Sequence, residues 1–208
     1  NPSPPYNYKA PFSPIDVIEE YTRPARMRIN SQFVTKPALS DLEIFNFSEV
    51  GKLEAFNTDG LRSLLQTMSH IPNMKEKTLR YPGHAKLIQS MIDDGLFNNK
   101  NFDKTINRLF KDWKLKEDEP EFTILDINIY SDSKNIHYHL YDETDDISKS
   151  SSMARTTGFT ATATINMLLN NLWSKKGVFP PELVGKNEQC IDFLLSYLSA
   201  RNVRMSQN

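Results

Sequence analysis

The feature that most constrains the fold is a pair of neighbouring segments, residues 121–130 and 135–142, in which apolar and polar side chains alternate. In the first segment Leu125, Ile127 and Ile129 share one face, because successive side chains of a β-strand point to opposite faces. Only the short polar run 131–134 separates the two segments. The spacing therefore predicts an antiparallel β-hairpin.

The rest of the chain alternates between helical and strand patterns. Apolar residues at helical spacing predict helices at about 14–21, from Thr58 to just before Pro72, from His84 to a closing Gly95, at about 103–113, from Ser152 to Trp173 and at about 187–200. Short apolar runs predict strands within 25–57 and at 75–80. This order predicts an α+β fold with a mixed, largely antiparallel sheet and helices packed on one face. Because no linker divides the chain, residues 1–208 are predicted to form one compact domain.

Charge and hydrophobicity argue against two classes of protein. The chain has 25 Lys and Arg against 26 Asp and Glu and no basic stripe, which argues against nucleic-acid binding. No stretch approaches the roughly 18 consecutive apolar residues of a membrane span, and the N-terminus lacks a signal-peptide pattern. The single cysteine, Cys190, cannot form an internal disulfide, which favours a cytoplasmic location.

The usual nucleotide and metal motifs are absent from the sequence. No pair of the seven glycines has the spacing of a dinucleotide fingerprint or a phosphate-binding loop, so no cofactor site is expected in this chain. His137 and His139 would place two imidazoles on one strand face. Because neither a Cys nor a Glu-rich helix lies near them in sequence, a solvated or interface strand face is favoured over a metal site.

The segment from Glu76 to His84 carries the clearest candidate chemistry. A predicted strand delivers Arg80, Tyr81 and His84 into a sharp strand-to-helix turn that contains Pro82 and Gly83. Arginine binds a carboxylate in a planar, bidentate way, and the free amides at a helix start favour an anion in the same place. An ordinary ion-paired turn is the alternative interpretation.

Two other segments have unusual composition. Five threonines lie between Met153 and Thr164, where hydroxyls near a helix start would bind an anion, or where small residues would allow tight core packing. Lys9 lies among aromatic residues just before the first predicted helix, either as an ordinary surface lysine or as one that faces a substrate.

Together these segments resemble the saccharopine dehydrogenase family, specifically the domain that follows the cofactor-binding domain in saccharopine reductase and its bacterial relatives. The matching stretches occur in the family's order and span nearly the whole chain. They are residues 8–25, 50–62, 77–84, 156–158 and 177–182.

The resemblance implies an NAD- or NADP-dependent oxidoreductase of lysine metabolism that moves hydride between nicotinamide and an imine or amine carbon of an amino-acid substrate. It also implies a nucleotide-binding Rossmann domain, which we expect to precede Asn1 because the chain does not begin with Met. In the family, this part supplies the substrate half of the cleft and much of a homodimer contact. The alternative is a non-catalytic amino-acid-binding or dimerisation module on the same scaffold.

The resemblance and the charges of such a substrate suggest roles for five side chains. Arg80 would clamp a carboxylate, Lys9 would supply a second cation, and Thr157 would donate a hydrogen bond from its hydroxyl. Tyr81 and His84 would be polar neighbours of the reacting centre, with His84 as an acid/base group that titrates near neutral pH.

One motif departs from the family pattern. Fungal saccharopine reductases have Pro-Asn-Arg-Asp-Ser where this chain has the residues from Phe56 to Gly60. Asp59 matches the family pattern and is predicted to bind substrate. Thr58 replaces an arginine that could hold one carboxylate, and Arg62 is the residue that could substitute for this arginine. The substrate is therefore either of the saccharopine type or of the smaller type used by a lysine 6-dehydrogenase, which needs fewer cations.

Overall fold

The computed structural model describes residues 4–116 and 119–208, and the chain divides into two compact units, Asn1–Lys116 and Glu117–Asn208. The N-terminal unit contains α1 (Pro14–Thr22), β1 (Ala25–Ile29), β2 (Gln32–Lys36), β3 (Glu43–Phe47), β4 (Gly51–Asn57), α2 (Leu64–Thr67), β5 (Lys77–Arg80), α3 (His84–Asp93) and α4 (Phe102–Asp112). The C-terminal unit contains β6 (Phe122–Tyr130), β7 (Asn135–Glu143), α5 (Ser152–Leu169), α6 (Pro181–Val184), α7 (Glu188–Ser199) and β8 (Met205–Gln207).

The N-terminal unit holds two antiparallel sheets, a β1–β2 hairpin and a three-stranded sheet in the order β3–β4–β5. Its main core lies between α1, α3, α4 and the central strand β4. Helix α1 begins with Pro14 at its first turn, where the missing N–H breaks no helical hydrogen bond. The helix buries Val17, Ile18 and Tyr21, which helical spacing places on one side, against a core that includes Phe56 and Trp113.

The β4–β5 pairing positions the strand-to-helix turn identified in the sequence. In its register Glu54 lies opposite Arg80, so the end of β5 runs beside the most buried part of β4. The chain then turns at Gly83, whose φ of +97° is a conformation that residues with a side chain rarely adopt. Helix α3 therefore starts at His84, directly against the core.

The C-terminal unit is a three-stranded antiparallel sheet, β6–β7–β8, with α5 and α7 packed against each other. A small core of Leu140, Leu198 and Val203 joins the sheet to α7 and the segment after it. The buried Arg155 of α5 forms an ion pair with Asp142 of β7 in which Nη2 lies 3.1 Å from Oδ1. A buried ion pair of this kind is destabilising to break, because it leaves one charge unpaired.

The predicted α+β class with antiparallel strand pairing is confirmed, with the strands distributed over three small sheets. The hairpin of β6 and β7 agrees with its predicted boundaries to within a residue. The division into two units was not anticipated, since no linker in the sequence indicates it. Among residues 4–116 and 119–208, no helix has both the length and the hydrophobicity that a membrane crossing requires.

The helix predicted to start at Thr58 is wrong. Helix α2 starts only at Leu64 and has four residues, because Arg62 has a φ of +48°, outside the right-handed helical region. Thr58 lies outside this helix, whose N-cap position is Ser63, and its hydroxyl donates a hydrogen bond of 2.6 Å to Glu76. The helix predicted to reach Trp173 ends earlier, at Leu169, and the short strand β8 was not predicted.

Candidate functional site

Arg80 is the centre of a polar cluster in the N-terminal unit, and 15% of its side chain is exposed. Its Nε donates to the Tyr21 hydroxyl at 2.9 Å, and its Nη2 donates to Glu20 Oε2 at 3.2 Å. Its Nη1 donates to the carbonyl of Leu79 at 2.8 Å. The guanidinium carbon lies 4.6 Å from the centre of the Tyr8 ring, within the range of a cation–π contact. The guanidinium is therefore held in one place by an ion pair, two neutral acceptors and an aromatic face.

His84 continues this cluster into the core. Its Nδ1 lies 2.7 Å from the backbone oxygen of Tyr6, and because a carbonyl only accepts, we assign the proton to Nδ1. Its Nε2, which lies 2.9 Å from the Tyr21 hydroxyl, is then the acceptor. The result is a directional chain of hydrogen bonds from Arg80 through Tyr21 and His84 to Tyr6.

Burial sets the protonation states in this cluster. Desolvation lowers the pKa of His84 to about 4, and the charge of Arg80 adds to this effect, although the hydrogen bond to Tyr6 opposes it. Burial also raises the pKa of Tyr21 above its ordinary value. For Glu20, burial raises the pKa in spite of the opposing charge of Arg80.

The prediction that His84 titrates near neutral pH is therefore wrong. The side chain is fully buried and neutral at pH 7, and both ring nitrogens are bonded within the unit. The role that the geometry supports is positional, because His84 fixes the hydroxyl of Tyr21, which in turn fixes Arg80.

The helix start beside the turn does not offer a free anion site. Glu54, which is 3% exposed, accepts hydrogen bonds from the backbone N–H of Gly83 at 2.9 Å and of Ala85 at 2.6 Å. A carboxylate of this chain thus occupies the place where the sequence predicted a bound anion, and it compensates the positive end of the helix dipole.

A polar cleft of about 310 Å³ lies beside the cluster, and Glu20 belongs to both. Its lining contains five carboxylates and two guanidinium groups, so it is acidic overall. The lining residues are Asp16, Glu19, Glu20, Arg23, Thr58, Asp59, Gly60, Arg62, Glu76 and Thr78.

Hydrogen bonds within the lining fix the floor of the cleft. Glu76 accepts from the Thr58 hydroxyl at 2.6 Å and from the backbone N–H of Gly60 at 3.0 Å. A Cβ on Gly60 would lie 2.5 Å from the Glu76 carboxyl carbon, so only glycine allows this close approach. The Thr58 and Thr78 hydroxyls are 2.8 Å apart, which links the segment after β4 to β5.

Asp59 and Arg62 both lie in the cleft, but only Asp59 is strongly held. Arg26 binds both carboxylate oxygens of Asp59, with Nε 2.9 Å from Oδ1 and Nη2 2.8 Å from Oδ2. Desolvation favours the neutral acid, yet these bonds outweigh it and lower the pKa of Asp59. Arg62 is 59% exposed, and its nearest nitrogen lies 3.9 Å from Asp59, so it can move toward a ligand.

The other predicted site residues lie outside this group. Tyr81 follows β5 directly and is half-buried, which raises the pKa of its hydroxyl. Lys9 donates to the backbone oxygen of Lys114 at 3.3 Å. Thr157 is exposed on α5 of the C-terminal unit, with its hydroxyl 3.5 Å from the sulfur of Met153.

The threonine-rich start of α5 does not present a set of free hydroxyls. Four of its five threonines donate to the carbonyl four residues earlier in the same helix, at distances from 2.7 to 3.0 Å. Such bonds are typical of threonine inside a helix and leave Thr157 as the exception.

Reasoning from the sequence missed several members of the cluster. Tyr8, Glu20 and Tyr21 lie within stretches that match the family, so the resemblance did mark their positions. Glu54 also lies within a matched stretch, residues 50–62. Glu76 carried no such signal, because its contacts depend on the approach of Gly60. The Tyr8 hydroxyl is buried and has no hydrogen-bond partner among the described residues.

Comparison with known proteins gives two findings. The family model described as the saccharopine dehydrogenase C-terminal domain matches residues 1–203. Among solved structures, the chain is similar to apo histidine-tagged saccharopine dehydrogenase (L-Glu forming) from Saccharomyces cerevisiae, with a TM-score of 0.75 and 13% sequence identity. The similarity covers 100% of this chain and 64% of that chain. At this identity, the structural match shows a common fold.

Proposed function

This chain belongs to the saccharopine dehydrogenase family, an oxidoreductase family, and from that premise we propose that it forms the substrate-binding half of an NAD(P)-dependent enzyme. The reaction is hydride transfer at a CH–NH bond of an amino acid of the saccharopine or lysine type. The observation that carries the proposal is the Arg80 cluster, which holds a guanidinium in a fixed position where Glu20 reaches the acidic cleft.

In this proposal Arg80 binds the substrate carboxylate after the carboxylate displaces one of the present hydrogen-bond partners of Arg80. An arginine side chain has five N–H donors, and three of those of Arg80 are used by Tyr21, Leu79 and Glu20. Glu20 is the exchangeable partner, because 36% of its side chain is exposed. A substrate carboxylate takes its place with the same charge, while Tyr8 and Tyr21 keep the guanidinium plane fixed.

The cleft favours a substrate with a protonated amine. Asp59 is neutralised by Arg26, and Glu19 pairs with Arg23. Asp16 and Glu76 form no ion pair among the described residues, so they leave negative charge in the lining. A lysine-type substrate with one carboxylate and two amines suits this balance better than saccharopine, which carries three carboxylates.

The nicotinamide cofactor belongs to another domain in this proposal. Among the described residues there is no glycine-rich phosphate cradle, and the backbone N–H groups of Gly83 and Ala85 at the start of α3 are bonded to Glu54. The residues of this chain therefore do not fit the dinucleotide, and we assign it to a Rossmann partner domain. We further propose that the enzyme is a homodimer and is located in the cytoplasm.

Enzyme assays test this function. The protein that carries this chain together with the Rossmann domain is assayed with NAD⁺ and NADP⁺, using lysine and saccharopine as substrates. In the reverse direction the reduced cofactors are used with glutamate plus aminoadipate semialdehyde. We expect pyridine-nucleotide turnover, with lysine preferred over saccharopine. Absence of turnover with every pair would contradict the enzyme assignment and favour a non-catalytic amino-acid-binding module.

A further inference from the structure

The β6–β7 hairpin places three potential metal ligands on one face. His137 and His139 are two residues apart on β7, so their side chains point to the same side of the sheet. The register pairs His139 directly with Asp126 of β6. Asp126 Oδ1 lies 2.6 Å from His137 Nε2 and 3.1 Å from His139 Nδ1.

We propose that Asp126, His137 and His139 bind a divalent transition-metal ion of the Zn²⁺ class. Within the part of the chain that the structure describes, this is the one group of three His, Cys, Asp or Glu residues whose ligand atoms all lie within 4.8 Å of one another. Two imidazoles and one carboxylate are a common ligand set for zinc and related ions, and such a set leaves a fourth position open to water.

The two Asp126–histidine distances are close to those that a bound ion requires. A tetrahedral zinc ion lies about 2.0–2.1 Å from each nitrogen and oxygen, which places neighbouring ligand atoms about 3.3 Å apart. The two Asp126–histidine distances, 2.6 and 3.1 Å, are hydrogen-bond distances slightly below that value. The two histidine nitrogens lie within 4.8 Å of each other, so the side chains would move closer together as bonds to the metal replace the shared hydrogen bonds.

The surroundings of the three residues support a binding site. Asn128 donates to Asp126 Oδ2 at 2.9 Å, so it orients the carboxylate and leaves Oδ1 directed at the histidines. The side chains of His137, His139 and Asp126 are 39%, 20% and 21% exposed, so an ion can enter from solvent. The bound ion would cross-link β6 and β7 through their side chains.

The sequence alone favoured a solvated or interface strand face at this position, because neither a Cys nor a Glu-rich helix lies near the two histidines in sequence. The third ligand is supplied by strand pairing across the hairpin, which brings together Asp126 and His139 from positions 13 apart in the sequence. The site does not depend on the proposed enzymatic function, since it requires neither substrate nor cofactor.

Metal titration of the chain tests the proposal. After dialysis against a chelator, the protein is titrated calorimetrically with Zn²⁺ and separately with Mg²⁺, which prefers oxygen ligands. We expect one Zn²⁺ per chain with a dissociation constant of about 10 µM or tighter, and no comparable binding of Mg²⁺. Absence of Zn²⁺ binding in this range would overturn the proposal.

Variants locate the bound ion. We expect Asp126→Asn, His137→Gln and His139→Gln each to weaken Zn²⁺ binding by about 100-fold. His70→Gln, which removes the exposed histidine of the N-terminal unit, is the matched control and should leave the affinity unchanged. If the three ligand variants bind Zn²⁺ as tightly as the unaltered chain, or if His70→Gln loses as much affinity as they do, the ion binds elsewhere and the proposal is refuted.

Spectroscopy on the unaltered chain tests the same site without depending on whether the variants fold. Co²⁺ in a site of two nitrogens and one carboxylate shows d–d absorption without a thiolate charge-transfer band. We expect that spectrum, together with broadening of the imidazole NMR signals of His137 and His139 only. A thiolate band, which Cys190 alone could produce, or broadening confined to His70 would contradict the assignment.

Discussion

Two histidine clusters in this protein use the same side chain in opposite ways. In the N-terminal unit, His84 is fully buried, and both of its ring nitrogens are bonded to groups of that unit, Tyr6 and Tyr21. In the C-terminal unit, His137 and His139 are partly exposed and share one carboxylate. A histidine with two internal partners is a fixed neutral connector, whereas histidines that share a carboxylate at the surface are suited to bind a cation.

The difference arises from the local elements that carry the side chains. His84 is the first residue of α3 and follows a left-handed glycine, so it enters the core with a single orientation. His137 and His139 lie in a strand with one face open to solvent, where a hairpin register decides what they meet. Changes to the two clusters should therefore differ in kind, affecting stability in one and metal affinity in the other.

The largest expected effect on stability comes from His84→Ala. The substitution leaves a cavity, removes the acceptor of the Tyr21 hydroxyl and removes the imidazole donor to the Tyr6 carbonyl. We therefore expect the free energy of unfolding to fall by about 3–4 kcal/mol. His137→Ala in metal-free protein should cost less than about 1 kcal/mol, because the site is at the surface. Urea unfolding at pH 7 measures both, and equal losses would contradict the distinction between the clusters.

Acid should destabilise the protein through His84. The pKa of His84 is lowered to about 4, whereas an unfolded histidine has a pKa near 6.5, so the unfolded state binds more protons between these values. The contribution of His84 to the free energy of unfolding is fully present above about pH 6.5. It is lost as the pH falls toward 4, and the total loss is about 3 kcal/mol.

His84→Gln isolates this pH effect, because glutamine does not titrate. We expect the stability difference between the unaltered chain and His84→Gln to shrink steadily from pH 7 to pH 4 in urea unfolding experiments. Parallel stability curves for the two proteins would show that His84 is not held neutral by burial.

A smaller contrast concerns the carboxylates at two helix starts. Glu54 accepts two backbone N–H groups at the start of α3, whereas Glu121 accepts one, from Met153 at 2.7 Å, at the start of α5. Glutamine keeps one oxygen but loses the charge that compensates the helix dipole. We expect Glu54→Gln to lower the free energy of unfolding by about 2 kcal/mol and Glu121→Gln to lower it by about 1 kcal/mol or less. The reverse order in thermal unfolding would contradict this account of the turn before α3.

Local patterns in the sequence were sufficient for several elements. Ser13 and Pro14 correctly marked the start of α1, and alternation correctly marked β6 and β7, because the required information lies within a few residues. Strand β8 was missed because three residues are too few to show a period. The helix predicted from Thr58 failed because Arg62 has a positive φ, so a helix cannot run from Thr58 to Leu64.

The candidate sites were predictable only in part, because they depend on contacts between residues distant in sequence. Arg80 was singled out from its strand-to-helix turn, and the structure surrounds it with groups distant in sequence, such as Glu20 and Tyr21. The loss of basicity at His84 follows from burial, which no local pattern around residue 84 reveals. Asp126 likewise reaches the histidines only through the register of the hairpin.

The assignment of Arg80 to the substrate carboxylate is tested most directly by the KM of two opposing variants in the active, cofactor-containing protein. Arg80→Gln should raise the KM for the amino-acid substrate about 100-fold, because the charged donor is lost. Glu20→Gln should lower it by about fivefold, because the carboxylate that the substrate displaces is gone. Arg108→Gln, at a side chain that is 76% exposed, is the control and should change nothing. Unchanged KM values in both cluster variants, with the fold intact, would contradict the account and leave Arg80 with a purely structural role.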